Sequence, residues 1–137
     1  MKQAMADVIA FMRAMGQEVP DEPTIEVPSK TVNLRLDLIT EELYELDAAM
    51  CKKDIGEVAD ACADLIYVTI GCAAAYGIDL AEVWKRVHAS NMAKLKGEVR
   101  SDGKRLKPAD WVPPDVLGAI ATQKPLSELY PTTNDGR

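Results

Sequence analysis

Residues 34–51 read LRLDLITEELYELDAAMC and residues 54–76 read DIGEVADACADLIYVTIGCAAAY. Apolar residues in both stretches recur at three- and four-residue spacing, and β-branched alternation is scarce, so both read as helices rather than strands. At about 100° per residue, Leu36, Ile39, Leu43, Leu46 and Met50 form one apolar stripe on the first. Glu41, Glu42 and Glu45 sit beside it, on the side of Leu34 and Leu38. On the second, Ile55, Val58, Ala59, Cys62, Leu65, Ile66, Thr69 and Ala73 cover a broad apolar surface. Glu57, Asp60 and Asp64 line up in one narrow stripe, which Tyr67 and Gly71 continue. Two adjacent helices of this kind set the fold class as all-α.

The rest of the chain fits around them. Residues 2–15 form a short amphipathic helix that stops at Gly16, and Pro20, Pro23 and Pro28 make the following stretch an extended connection. Ser29 or Thr31 is placed to cap the second helix, which runs to about Lys52. Asp54 caps the third, and Gly77 ends it as a left-handed residue. Asp79 opens a fourth helix that continues to Lys94 or Lys96, and a short fifth falls at Asp115 to Thr122. The expectation is a single domain over residues 1–137, a bundle of four to five helices, with about 123–137 as a mobile tail.

Composition narrows the function. The chain has 137 residues, 47% of them hydrophobic, enough to bury a core and too many for general disorder. Asp7 and Arg13 interrupt the apolar N-terminus, and no stretch reaches the roughly 18 uninterrupted apolar residues of a bilayer span. Three cysteines, Cys51, Cys62 and Cys72, lack CxxC spacing, and Cys62 and Cys72 fall in apolar helix patterning and read as reduced, buried thiols, so the expected compartment is cytoplasmic. A net charge of −6 argues against general nucleic-acid affinity. Its distribution says more. From Asp37 to Asp64 there are nine acids and two basic residues, Lys52 and Lys53, whereas Lys85 to Lys107 holds eight of the sixteen Lys and Arg. One region is composed to hold cations and another to hold an anion.

A charged helix face is ordinarily a solvated one. Like charges three and four residues apart cost roughly 0.2–0.5 kcal/mol per pair, however, and exposed faces relieve this with interleaved lysines. No basic residue occurs from Leu36 to Cys51, or from Asp54 to Trp84. The third helix is apolar nearly all round, so it is expected at the centre with its acids partly enclosed. Enclosed carboxylates need a cation, and an all-oxygen shell selects Mg²⁺, with Mn²⁺ as substitute. A di-iron bundle needs Glu-x-x-His on two helices, and the lone histidine, His88, has Lys85 three residues before it. No P-loop or nucleophile motif is present. Trp84 has the spacing of a core residue. Trp111, in a Pro-rich stretch, is placed either to cover a nucleobase or to anchor the tail.

At these residues the chain resembles the MazG-like, or phosphoribosyl-ATP pyrophosphohydrolase-like, all-α NTP pyrophosphohydrolases. Glu41-Glu42-Leu43-Tyr44-Glu45 is similar to the family's E-E-x-x-E. Glu57 to Val68 resembles its second acidic helix, Val87 to Leu95 the segment late in the fourth, and Asp102-Gly103-Lys104 with Lys107-Pro108 its basic loop. The likeness runs from about residue 34 to 115. There is one departure: the family's E-x-x-D register selects Asp64 but puts Ala61 in the glutamate position, whereas Glu57-x-x-Asp60 keeps both acids one turn earlier.

The resemblance implies a homodimer or homotetramer with sites partly at subunit contacts, and Mg²⁺-dependent cleavage between the α- and β-phosphates. The implied catalytic acids are Glu41, Glu42 and Glu45, with Glu41 orienting or deprotonating water. Metal ligands come from Glu42, Glu45, Glu57, Asp60 and Asp64, and substrate contacts from Asn91, Lys94, Lys104, Lys107 and Tyr67. The expected substrate is a (d)NTP such as dUTP or dCTP, giving the monophosphate and pyrophosphate, with no nucleic-acid or membrane partner. Two alternatives stand beside this: phosphoribosyl-ATP hydrolysis in histidine biosynthesis, and a non-catalytic helical oligomer that its acids solubilise.

Overall fold

A computed structural model describes residues 1–132. Its elements are α1 (Lys2–Ala14), α2 (Ser29–Lys52), α3 (Ile55–Ala75), α4 (Leu80–Ala93), α5 (Val116–Ala121) and α6 (Leu126–Leu129). Among the described residues there is no β-strand, only an isolated antiparallel bridge between Val99 and Arg105. The fold is all-α. The chain divides into two compact units, residues 81–123 and the remainder.

In the unit formed by residues 1–80 and the described residues from 124 on, α2 and α3 make an antiparallel pair joined by Lys53 and Asp54. Lys53 takes a left-handed conformation (φ 58°), and the Asp54 carboxylate accepts from the N–H groups of Gly56 and Glu57, capping α3. α1 packs on α3 and buries Met5, Val8, Ile9 and Met12, which with Ala49, Ala61, Ile70, Ala74 and Ala75 form the core. α3 ends in paired bonds, from the Gly77 N–H to the Ala74 carbonyl and from the Ile78 N–H to Ala73. Gly77 has φ +68°, and a Cβ there would lie 2.2 Å from the carbonyl oxygen of Glu22. Only glycine lets the Pro-rich connection pass so close.

The ends of the elements differ from the sequence reading in two places. Ser29 is the first residue of α2 rather than its cap; Pro28 holds the capping position, with no side-chain bond, and neither Ser29 nor Thr31 caps the helix. Part of the expected mobile tail is anchored: Leu126 is fully buried and donates its N–H to the Asp21 carbonyl. The Asp21 carboxylate takes the N–H and hydroxyl of Ser127, Tyr130 Oη donates to Asp79 at 2.7 Å, and Arg13 donates to the Tyr130 carbonyl. Residues 133–137 of that expected tail lie outside the described residues.

The faces of α2 and α3 differ more. Of the apolar stripe, Leu36, Leu43 and Met50 are exposed and Ile39 and Leu46 half-buried, and the face turned inward carries Arg35, half-buried Glu42 and Ala49, again at seven-residue spacing. Ile55 and Ile66 of α3 are also exposed, as are Glu57, Asp60 and Asp64. Within one chain α3 is the helix that packs on both α1 and α2, as expected, but its acidic stripe is exposed, and of the acids of α2 and α3 only Glu42 is partly enclosed. By length and composition alone α3 is apolar enough to cross a membrane (mean hydropathy 1.5).

In the unit of residues 81–123, α4 runs into a 3-10 turn over Lys94–Lys96. The following loop folds back through bonds from Arg100 N–H to the Lys104 carbonyl and from Leu106 N–H to Glu98, with Gly103 at its tip (φ +85°). Asp115 caps α5 and pairs with Arg86 at 2.9 Å. Trp84, read as core, is 54% exposed.

Candidate functional site

The inward face of α2 meets the acidic stripe of α3, so carboxylates from both helices share one cleft. Glu42 is its centre. Its Oε2 is shut off from solvent and has no hydrogen-bond partner. Burial pushes its carboxyl above the usual range, and repulsion from Glu45, Asp64, Glu41 and Asp60 adds to the rise. That set reports which acids converge: both glutamates flanking Glu42 in sequence, and two of the three acids of α3. Glu57 stands apart, paired with Lys52 at 2.8 Å. Glu45, Glu57, Asp60 and Lys52 nonetheless line one cavity of about 270 Å³, floored by Ala48, Ala49 and Ala61.

A sealed carboxylate oxygen without a donor is costly, and among the described residues none donates to it. Among the described residues, no three carboxylate, imidazole or thiol groups stand close enough to be a ready-made metal cluster. The orphaned Oε2 and the all-oxygen donor set around it fit a hard divalent cation, which neutralises such a group without a proton.

Tyr67 continues the stripe one turn beyond Asp64. Its ring meets that of Phe11, from α1, edge to face at 5.9 Å and 77°. One turn further, Gly71 leaves room for the Arg35 guanidinium, which a Cβ would approach to 3.1 Å. Arg35 is only 6% exposed, donates to Gln17 Oε1 at 2.5 Å, and its Nε has no partner. It ties the segment after α1 to α2 and α3. The sequence assigns no functional role to Arg35, Phe11 or Lys52. Phe11 is the sole phenylalanine, and Lys52 is one of two basic residues in the acidic stretch, which was the available signal.

The other expected substrate residues belong to the second unit. Trp111 donates its indole N–H to the Ser90 carbonyl, and Lys107 and Lys94 lie 4.0 and 5.5 Å from its ring. Lys94 also donates to Asn91 at 2.7 Å, so Asn91, Lys94 and Lys107 gather around one indole. Lys104 is not among them; it follows Gly103 at the loop tip, its N–H on the Asp102 carboxylate. His88 is exposed.

Residues 8–91 match the phosphoribosyl-ATP pyrophosphohydrolase family. A 51-residue stretch is 47% identical to uncharacterized protein L479 of Acanthamoeba polyphaga mimivirus, covering 37% of this chain and 20% of that protein. The chain thus aligns with about a fifth of the relative's length. The family match takes in α2 and α3 whole, and with them every carboxylate of the cleft, so the chain belongs to the phosphoribosyl-ATP pyrophosphohydrolase family of all-α pyrophosphohydrolases.

Proposed function

We propose that this protein is a Mg²⁺-dependent nucleoside triphosphate pyrophosphohydrolase that releases pyrophosphate and a nucleoside monophosphate, with dUTP or dCTP as the expected substrates. The observation that carries this reading is the orphaned Glu42 oxygen, enclosed by helices that bring four further acids within electrostatic reach. Glu42, Glu45, Asp60 and Asp64 are the proposed ligands; Glu57 has a partner in Lys52. Mg²⁺ held by these residues would supply charge screening for the triphosphate and acidify an attacking water. Glu41 orients the attacking water or accepts its proton. The water oxygen bonds to the α-phosphorus, the bond from that phosphorus to the α,β-bridging oxygen breaks, and the electron pair leaves on pyrophosphate. Asn91, Lys94, Lys104 and Lys107 are proposed as phosphate or sugar contacts, on their charge and their resemblance to the family's segments. The protein works as a homodimer or homotetramer in the cytoplasm.

The family's description favours a second reading, phosphoribosyl-ATP hydrolysis. The long basic segment with its Asp102-Gly103-Lys104 tip supports the nucleotide reading. A product assay over the common NTPs, dNTPs and phosphoribosyl-ATP, with Mg²⁺ and with EDTA, separates the two. Monophosphate and pyrophosphate from a (d)NTP, abolished by EDTA, is the expected result. Turnover of phosphoribosyl-ATP alone selects the second reading, and turnover of neither leaves a structural oligomer. Glu45→Gln should lower turnover at least about 100-fold, since even partners outside the ligand shell are worth 10–100-fold; full Mg²⁺-dependent activity in that variant would overturn the ligand assignment.

A further inference from the structure

The two ends of the acidic cleft are chemically different. At one end the α2–α3 pair opens into the cavity of about 270 Å³, and its rim carries Lys52. From Leu36 to Trp84 the only basic residues are Lys52 and its neighbour Lys53. Lys53 is the left-handed residue of the turn and is not among the residues lining the cavity. Lys52 is therefore the one cationic side chain of a lining that also holds the carboxylates Glu45, Glu57 and Asp60, and Glu57 pairs with it at 2.8 Å. Ala48, Ala49 and Ala61 keep the cavity hollow. Larger side chains at these places would close it.

At the other end stand Tyr67 and Phe11. Tyr67 lies about 4.5 Å along the helix axis beyond Asp64, and Glu57 about 10 Å in the opposite direction. Phe11 is 51% exposed and Tyr67 38%, although Met5, Val8, Ile9 and Met12 of the same α1 are sealed. Their edge-to-face contact fixes the two rings against each other. Arg35, braced by Gln17 and Gly71, holds the segment after α1 to α2 and α3 behind them.

We infer from this polarity the direction in which the substrate lies: its leaving β,γ-phosphates occupy the cavity against Lys52, and its nucleoside rests on the Phe11–Tyr67 pair. The inference rests on the nucleotide reading proposed above. Along the helices Glu42, Glu45, Asp60 and Asp64 lie between Lys52 and Tyr67, where the α-phosphorus must be; Glu45 and Asp60 also line the cavity, so the phosphates would enter it together with the Mg²⁺ those acids hold. Lys52 exchanges its bond to Glu57 for one to a phosphate oxygen, which is charge-assisted in the same way. Phe11, the more exposed of the two, offers its ring face to a base or sugar while Tyr67 holds it edge-on, and stacking on one ring accepts any base because every base has a π-face.

The test measures binding of the two products separately, by calorimetry on the Mg²⁺-loaded protein. The probes are pyrophosphate and the monophosphate of whichever triphosphate turns over fastest. Lys52→Ala should weaken pyrophosphate about tenfold or more and leave the monophosphate within about twofold. Phe11→Ala and Tyr67→Ala should do the reverse, in line with the worth of stacking on an aromatic side chain. Thermal stabilisation by Mn²⁺ checks that each variant keeps its fold and its acids. The opposite pattern, or affinities that do not move, would overturn the inference. So would loss of the oligomer in Phe11→Ala with product binding intact, because the aromatic pair would then be a subunit contact. Wild-type protein that hydrolyses no nucleoside triphosphate would instead sink the function on which the inference stands.

Discussion

Glu42 concentrates the site's chemistry in one side chain. Its carboxyl is held above the usual range of 4.5 by burial, then by four like-charged neighbours. A raised folded-state value means that the fold favours the protonated acid. That contribution is fully present below the ordinary glutamate value and is lost as pH rises through the raised one. A divalent cation takes the proton's place above this window, and it competes with the proton inside it. The metal-free protein should therefore lose thermal stability as pH climbs through the window, and Mg²⁺ should restore it above the window but not below. Melting curves in EDTA and in Mg²⁺, read as the difference between wild type and Glu42→Gln, isolate this group from the other acids. The variant carries no ionisable group there, so both the pH step and the Mg²⁺ recovery should flatten. A Mg²⁺ stabilisation that is the same in Glu42→Gln would mean the metal sits elsewhere. The identity of this residue was legible from its place in the acidic stripe. Its isolation from solvent was not, because that depends on which face of α2 turns inward.

The helices themselves were read almost to the residue, and the reason lies at their ends. Asp54 and Gly77 have side-chain or backbone properties that act locally, so their meaning survives without knowledge of the tertiary structure. Ser29 illustrates the limit: a hydroxyl near a helix start looks like a cap, but the preceding proline takes that position. Helix α6, four residues long, is too short to show a period at all. It exists because Leu126 is buried and Asp21 bonds its first turn, a partner 106 residues away in sequence. Gly77 gives the clearest test at this scale. An added Cβ would strain the left-handed backbone and would also meet the Glu22 and Pro20 carbonyls at 2.2 and 3.1 Å. Gly77→Ala should cost more than about 1 kcal/mol, because the gain in chain stiffness is outweighed where the backbone cannot comply. Denaturant midpoints measure this directly. A neutral or stabilising result would mean that the Pro-rich connection moves away from α3 freely.

For the whole molecule, the informative fact is an inverted α2. Hydrophobic pattern alone assigns Leu36, Leu43 and Met50 to the core, yet these are exposed while Arg35 and Ala49 at neighbouring positions are buried. The small residues Ala49 and Ala61 let α2 and α3 approach closely, and that face then carries the carboxylates. The apolar stripe is displaced to the outside, beside the exposed Ile55 and Ile66 of α3. Burying a side chain of this size is worth roughly 1.5–3 kcal/mol, so a surface that leaves several of them uncovered gains by taking a partner. A second copy of the same chain is the proposed cover, since it brings an identical stripe, and an isologous contact matches apolar residues to themselves. This also accounts for a third helix that is apolar on nearly every side although the single chain encloses only part of it. Sedimentation should give a dimer or tetramer at micromolar concentration. Leu43→Asp should shift it toward the monomer and lower its melting temperature, by placing an unpaired charge in the contact. Arg35 and Glu42 keep their surroundings within one chain, so the Mg²⁺ response of that variant tells whether the acids alone make the metal site. A Leu43→Asp protein that stays assembled and fully active would show that the stripe faces solvent. The outward face of α2 would then need another explanation than self-association.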